Sequence, residues 1–125
     1  VTLEQEIDVA RRVAEAAGRL ALEYQGRGVS AEDKPDLSPV TVADRECERL
    51  IAGALEQSFP EDGLLGEEGA LKKSASGRRW IIDPIDGTRD FVRGIPVWGV
   101  LIGLEDGADV SAGVCHLPAL EETYF

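Results

Sequence analysis

Positive charge is in short supply in this 125-residue chain, where 13 Lys and Arg face 24 Asp and Glu for a formal charge of −11. A polyanion-binding protein needs the opposite sign, which argues against a nucleic-acid or acidic-membrane partner. Cysteine occurs twice, at Cys47 and Cys115. That is too few for a disulfide scaffold and lacks metal-ligand spacing, so both are read as thiols in a reducing compartment. No apolar run approaches the ~20 residues of a membrane span, and no basic-then-apolar leader opens the chain, which gives a cytoplasmic expectation. Histidine appears once, as His116, and methionine not at all. Repeats and domain-separating linkers are also missing.

What remains is an ordinary globular mixture, 43% hydrophobic and 30% charged. A chain of this length sets an expectation of one domain that buries roughly two-thirds of its extended surface. The acidic excess suits hard cations and directs attention to clustered carboxylates.

Thr2-Leu3-Glu4-Gln5 has the form of a capping box. Leu3, Ile7, Ala10, Ala14, Ala17, Ala21 and Tyr24 then form one apolar stripe on a long helix, ended by Gly26 and Gly28. From Val29 to Val40 the pattern is a polar strand or loop, punctuated by Lys34-Pro35-Asp36 and Ser38-Pro39. Thr41 caps a second helix whose buried face is Cys47, Leu50, Ile51, Ala54, Leu55 and Ser58, and Phe59-Pro60 ends it. Glu61-Asp62-Gly63 is a turn, and strands follow at 64–66, 80–82, 97–104, 110–116 and from Thr123, with Glu105-Asp106-Gly107 as a hairpin turn. Residues 68–79 read as an exposed, mobile loop. Helices followed by hairpin-linked strands predict an α+β fold, two N-terminal helices on a mainly antiparallel sheet.

The chemistry concentrates in Trp80-Ile81-Ile82-Asp83-Pro84-Ile85-Asp86-Gly87-Thr88. An apolar strand delivers Asp83 to its carboxyl end, and Pro84, lacking an N–H for the ladder, makes the chain turn there. In a tight turn Asp83 and Asp86 can face one point, where two anions repel unless a divalent ion neutralises them. Gly87 leaves the backbone open to an oxyanion. Thr88 adds a hydroxyl and opens a short helix through Phe91, whose free amides favour phosphate. Such a pairing of carboxylates and amides suits a metal ion and a phosphate together. Turn propensity alone accounts for Asp83-Pro84 and Asp86-Gly87 taken singly. Helix-dipole stabilisation accounts for Asp44 and solvation for Glu68 in the same way. Their recurrence at strand and helix ends, with Glu67-Glu68 after Leu64-Leu65-Gly66, favours a site.

Three blocks carry a more specific signal: Ser38-Pro39-Val40-Thr41 through Asp44, Gly66-Glu67-Glu68, and the run WIIDPIDGTRDFVRGIPVW from Trp80 to Trp98. Together they resemble the magnesium-dependent inositol monophosphatase family, which includes bacterial histidinol-phosphatases. Gly113-Val114, Pro118 and Glu122-Thr123-Tyr124 extend the likeness, and the blocks run in family order. The resemblance implies that residues 1–125 are the N-terminal, metal- and phosphate-binding half of a layered α/β sugar-phosphatase-type fold, with the C-terminal half absent. A Trp-Asp motif that supplies a further metal ligand in the family does not occur here, and Asp90 stands where Asn is usual.

The resemblance also implies roles. Glu67, Asp83 and the Ile85 carbonyl bind a first Mg²⁺, with Asp83 bridging to a second that Asp86 ligates. Gly87 and Thr88 hold the phosphate beside Asp86. Asp44, hydrogen-bonded to Thr88, orients or activates the attacking water, so Asp44, Glu67 and Thr88 form the catalytic set. Glu68 stands behind the ligands. The implied activity is Mg²⁺-dependent hydrolysis of a small phosphate ester, histidinol phosphate or inositol monophosphate, by direct attack of water and without a phosphoenzyme. Arg89 and residues 91–98 lean towards the histidinol-phosphatase branch, and a homodimer is the implied assembly. The alternatives are a metal- and phosphate-binding module without turnover, or a truncated relative, and a purely structural interaction domain. Trp80 and Trp98 are read as core anchors, His116 as structural, Cys47 as inert, and Arg93 as the best basic residue near the site.

Overall fold

The computed structural model describes residues 2–34 and 39–125. Helix α1 (Glu4–Arg27) buries Ala10, Val13, Ala14, Ala17, Gly18 and Ala21, so the predicted small-residue stripe is its core face. At Gly18 a Cβ would lie 2.7 Å from Pro118 Cγ and 2.8 Å from His116 Cδ2, so glycine is what lets the helix approach so closely. The helix begins after Leu3 with no side-chain cap, and the expected Thr2–Gln5 box is not formed. Glu4 and Glu6 in the first turn and Arg27 in the last complement the helix dipole instead. Gly26 lies inside the helix. The stop comes at Gly28, whose φ of 82° suits glycine.

Thr41 caps helix α2 (Val42–Ser58) as expected, through a capping box completed by Asp44. Cys47, Ile51 and Leu55 are buried, Leu50 and Ala54 are half-buried, and Ser58 is exposed because the last turn lies beyond the core. The Cys47 Sγ donates to the Ala17 carbonyl at 3.3 Å. Burial, reinforced by Asp44 and Glu46, pushes this thiol up to about 12, which removes the reactive thiolate.

Strands β1 (Glu32–Asp33) and β2 (Pro39–Val40) form a separate antiparallel pair. The turns expected at Lys34-Pro35-Asp36 and Ser38-Pro39 involve residues 35–38, outside the described residues. The main sheet contains β3 (Gly63–Gly66), β4 (Leu71–Lys72), β5 (Arg78–Asp86), β6 (Gly99–Asp106), β7 (Asp109–Leu117) and β8 (Glu122–Tyr124), in the order β4-β3-β5-β6-β7-β8. Every pairing is antiparallel except β3 with β5, which is parallel. The α+β layering with a mainly antiparallel sheet therefore holds. Trp80, Ile82, Val100, Ile102 and Leu104 are buried, and α1 and α2 pack on the sheet. Helix α3 (Thr88–Arg93) joins β5 to β6, and Phe91 meets Trp98 edge-to-face with centroids 4.9 Å apart.

Two expectations require correction. Pro84 does not end the strand, since β5 runs through it to Asp86 with a shift in register. Residues 68–79 are not one free loop, because β4 lies within them and their far end is tied to Asp62. Read as a turn residue, Asp62 is buried. It accepts from Arg78 Nη2 at 2.8 Å, Trp80 Nε1 at 3.0 Å and Ser76 Oγ at 2.7 Å. Arg78 also donates to Glu6 at 2.8 Å and so ties α1 to the sheet.

Burial works to raise the Asp62 carboxyl, but hydrogen bonds from Arg78, Ser76 and Trp80 prevail and hold it below the ordinary range. A depressed carboxylate contributes stability above its unfolded value of about 3.9, and that contribution is lost as pH falls through the lower folded value. Asp62→Asn should cost about 3 kcal/mol near neutrality by leaving Arg78 poorly compensated. Urea unfolding should show the gap from the unmodified protein narrowing once the pH drops below about 4.

Candidate active site at the ends of two parallel strands

Parallel strands end on the same side of a sheet, and β3 and β5 are the parallel pair here. Gly66 pairs with Ile82, and the Glu67 amide donates to the Ile82 carbonyl at 3.1 Å. The next residue on each strand is Glu67 and Asp83 respectively, so the register sets these two carboxylates side by side.

Asp83 and Asp86 are three residues apart, a spacing that in a regular strand sends side chains to opposite faces. Their partners on β6 are Leu101 and Gly99, only two apart. One extra residue is therefore accommodated in β5, a β-bulge that returns Asp86 to the face of Asp83. Pro84, with no N–H to offer the ladder, lies inside this irregularity. The closeness expected of a tight turn is achieved by a bulged strand.

Asp83 is half-buried, whereas Glu67 and Asp86 are exposed. Burial, then the charges of Asp86 and Glu67, a hydrogen bond with Asp86 and the charge of Asp44 push the Asp83 carboxyl up to about 7. Ile85 is buried at 3% exposure, and its carbonyl lies 3.3 Å from Thr88 Oγ1. Gly87 has φ 90° and caps α3, so a side chain there would be strained by the backbone conformation. Arg93 is exposed in the last turn of α3.

Asp44 is 1% exposed and reaches across to this cluster. Its Oδ2 accepts from the Thr41 amide at 2.8 Å and the Thr41 hydroxyl at 2.6 Å, and its Oδ1 accepts from Thr88 Oγ1 at 2.9 Å. A hydroxyl has one proton. With that proton directed at Asp44, the Thr88 oxygen presents lone pairs to whatever lies beyond it.

Glu48, absent from the sequence reading, is a second buried carboxylate one helical turn after Asp44. It accepts from the amides of Glu68 at 2.8 Å and Ala70 at 2.9 Å. The available signal was a charged residue between Cys47 and Ile51 on the apolar face of α2. Glu68 itself pairs with Lys34 at 3.3 Å. Burial is the main influence raising its carboxyl, opposed by Lys34 and aided by Asp44 and Glu48.

As the side chains stand, no three Asp, Glu, His or Cys groups among the described residues enclose a point where an ion could sit. The donor set nevertheless fits a hard divalent cation. Glu67, Asp83, Asp86 and the Ile85 carbonyl offer only oxygen, and mutual repulsion at Asp83 is what a cation relieves. The sequence-predicted groups Asp44, Thr88 and Ile85 are in direct contact. Asp86 meets Asp83 and Glu67 borders it, without the three closing on a single point. His116 stands apart, its Nδ1 against Thr123 Oγ1 at 2.8 Å. Among the described residues no helix is long and apolar enough to cross a membrane.

Comparison with known proteins places the chain in a family. The model of the inositol monophosphatase family matches residues 2–125. A histidinol-phosphatase of Chlorobaculum parvum is 48% identical over 120 residues, which cover 95% of this chain and 46% of that protein. An inositol-1-monophosphatase of Mesorhizobium japonicum is 38% identical over 119 residues, covering 94% and 44%. Among solved structures, the extragenic suppressor protein suhB of Bartonella henselae superposes with a TM-score of 0.89 at 33% identity, covering 95% of this chain and 47% of that one. The chain spans about half the length of the curated relatives it matches. A match over nearly every residue, on a fold shared with solved relatives, establishes that the chain belongs to the inositol monophosphatase family.

Proposed function

We propose that the protein is a cytoplasmic, Mg²⁺-dependent phosphomonoesterase that hydrolyses a small phosphate ester by attack of water. Residues 1–125 form its N-terminal metal- and phosphate-binding part, and the complete protein is a homodimer. Histidinol phosphate is the first-choice substrate and inositol monophosphate the second. The names of relatives sharing 48%, 40% and 39% of their aligned residues with this chain support that order. The observation that carries the reading is the gathering of Glu67, Asp83 and Asp86 at one sheet end, beside the Asp44–Thr88 hydrogen bond.

In this reading Glu67, Asp83, Asp86 and the Ile85 carbonyl would hold Mg²⁺, Glu67 and the Ile85 carbonyl on one side of Asp83 and Asp86 on the other. Bound there, Mg²⁺ supplies Lewis acidity towards the phosphoryl oxygens and lowers the pKa of water. Asp44 fixes the Thr88 proton, so the Thr88 oxygen accepts a hydrogen bond from the attacking water and holds it in line with phosphorus. Gly87 lets the phosphate approach the backbone, and the amides of Gly87 and Thr88 offer donors to its oxygens. The acidic chain binds an anionic substrate only with these charges neutralised, which makes a cation part of substrate recognition.

The competing reading is a metal- and phosphate-binding module without turnover. Phosphate release separates the two. The complete protein, given histidinol phosphate and inositol monophosphates in parallel, should release phosphate only with Mg²⁺ present and lose this activity on chelation. Asp86→Asn should lower kcat/KM by about 10²–10³-fold. Mg²⁺ binding with no release from any ester would support the module instead.

Thr88→Val keeps the side-chain shape and removes the hydroxyl. It should lower kcat by about 10²-fold, while Mg²⁺ affinity measured by calorimetry stays unchanged. Thr88→Ser should restore most of the rate. A large loss of Mg²⁺ affinity in Thr88→Val would move Thr88 from handling water to building the metal site.

A further inference from the structure

Glu48 is 3% exposed, a charged side chain in the interior of the layer between α2 and the sheet. A buried carboxylate is costly unless its oxygens are fully engaged. Here each oxygen takes a separate main-chain donor: Oε1 the amide of Glu68 at 2.8 Å, and Oε2 the amide of Ala70 at 2.9 Å. Those amides belong to the turn after β3, which also closes on itself through Gly66 N to the Ala70 carbonyl at 2.8 Å. The carboxylate lies flat against Gly66. A Cβ at that position would come within 2.3 Å of both Glu48 Cδ and Oε1. Glu67 sits inside this turn, flanked by the glycine that Glu48 packs on and the amide that Glu48 holds.

We propose that Glu48 is a positioning residue for the metal site: it sets where Glu67 stands, and therefore how tightly the site takes a divalent cation, without touching the cation or substrate. The inference rests on the metal site proposed above. Asp44 and Glu48 are four residues apart on one face of α2. One rigid helix thus steers Thr88 with its first carboxylate and the Glu67 turn with its second. Glutamine cannot replace Glu48. It has one acceptor oxygen, and its NH₂ would confront the second main-chain N–H.

The test is calorimetric titration of the complete protein with Mg²⁺ alone, comparing the unmodified protein with Glu48→Gln, Gly66→Ala and Asp83→Asn. Glu48→Gln and Gly66→Ala should each weaken Mg²⁺ binding by about tenfold, the scale found when groups behind metal ligands are altered. Hydrogen exchange at the Glu68 and Ala70 amides should accelerate. In turnover, the Mg²⁺ concentration needed for half-maximal rate should rise while kcat at saturating Mg²⁺ recovers, a split that general loosening of the fold would not produce. Should Glu48→Gln fail to fold, Gly66→Ala carries the same test through the displaced carboxylate. Unchanged Mg²⁺ affinity in a folded variant, with Asp83→Asn abolishing binding, would overturn the role of Glu48 and leave the metal site standing. Failure of the unmodified protein to bind Mg²⁺ would overturn both.

Discussion

A single supernumerary residue in β5 is the constraint on which the candidate site depends. Strand geometry alternates side chains between faces, so Asp83 and Asp86 at their sequence spacing belong on opposite sides of the sheet. Pairing Asp83 with Leu101 and Asp86 with Gly99 absorbs one residue and cancels that alternation. The parallel register of β3 then brings Glu67 in from the neighbouring strand. Neither device suffices alone. Without the bulge Asp86 would face away, and without the parallel pairing Glu67 would lie at the opposite end of the sheet.

Helix α2 completes the frame with polar groups where an amphipathic helix normally carries only apolar ones. Asp44 and Glu48 are nearly as buried as Cys47 and Ile51 beside them. Their desolvation is offset by hydrogen bonds from Thr41, Thr88 and the main chain of residues 68 and 70. The same logic governs Asp62, which joins Arg78, Ser76 and Trp80 at the opposite end of β5. Buried carboxylates thus act as fasteners at both ends of the strand that carries the site.

Features encoded by neighbours in sequence were legible without the structure. The Ala stripe of α1, the Thr41 cap, the β6–β7 hairpin and the short helix after Gly87 all follow from periodicity or local capping chemistry. The motif around Asp83 to Thr88 was legible too, as was the link from Asp44 to Thr88, which the family resemblance implied. What escaped the reading depends on distant partners. The bulge is a mismatch between β5 and β6, and a single strand cannot reveal the residue count of its neighbour. Asp62 looked like a turn residue because its partners lie 14 to 18 positions away. Glu48 binds amides 20 and 22 positions on. Thr2 and Gln5 matched a local pattern, yet the helix starts one residue too late for them to use it.

The intimacy of Glu48 with Gly66 has an evolutionary corollary. The carboxylate fills the volume that any side chain at position 66 would claim, so the two sites cannot drift separately. A methyl group at 66 pushes the Glu48 carboxylate aside, and a displaced or shortened 48 loosens its hold on two amides unless another acceptor arrives at the same moment. Substitution at either position is therefore felt at the other, and a change that preserves the turn has to alter the pair together.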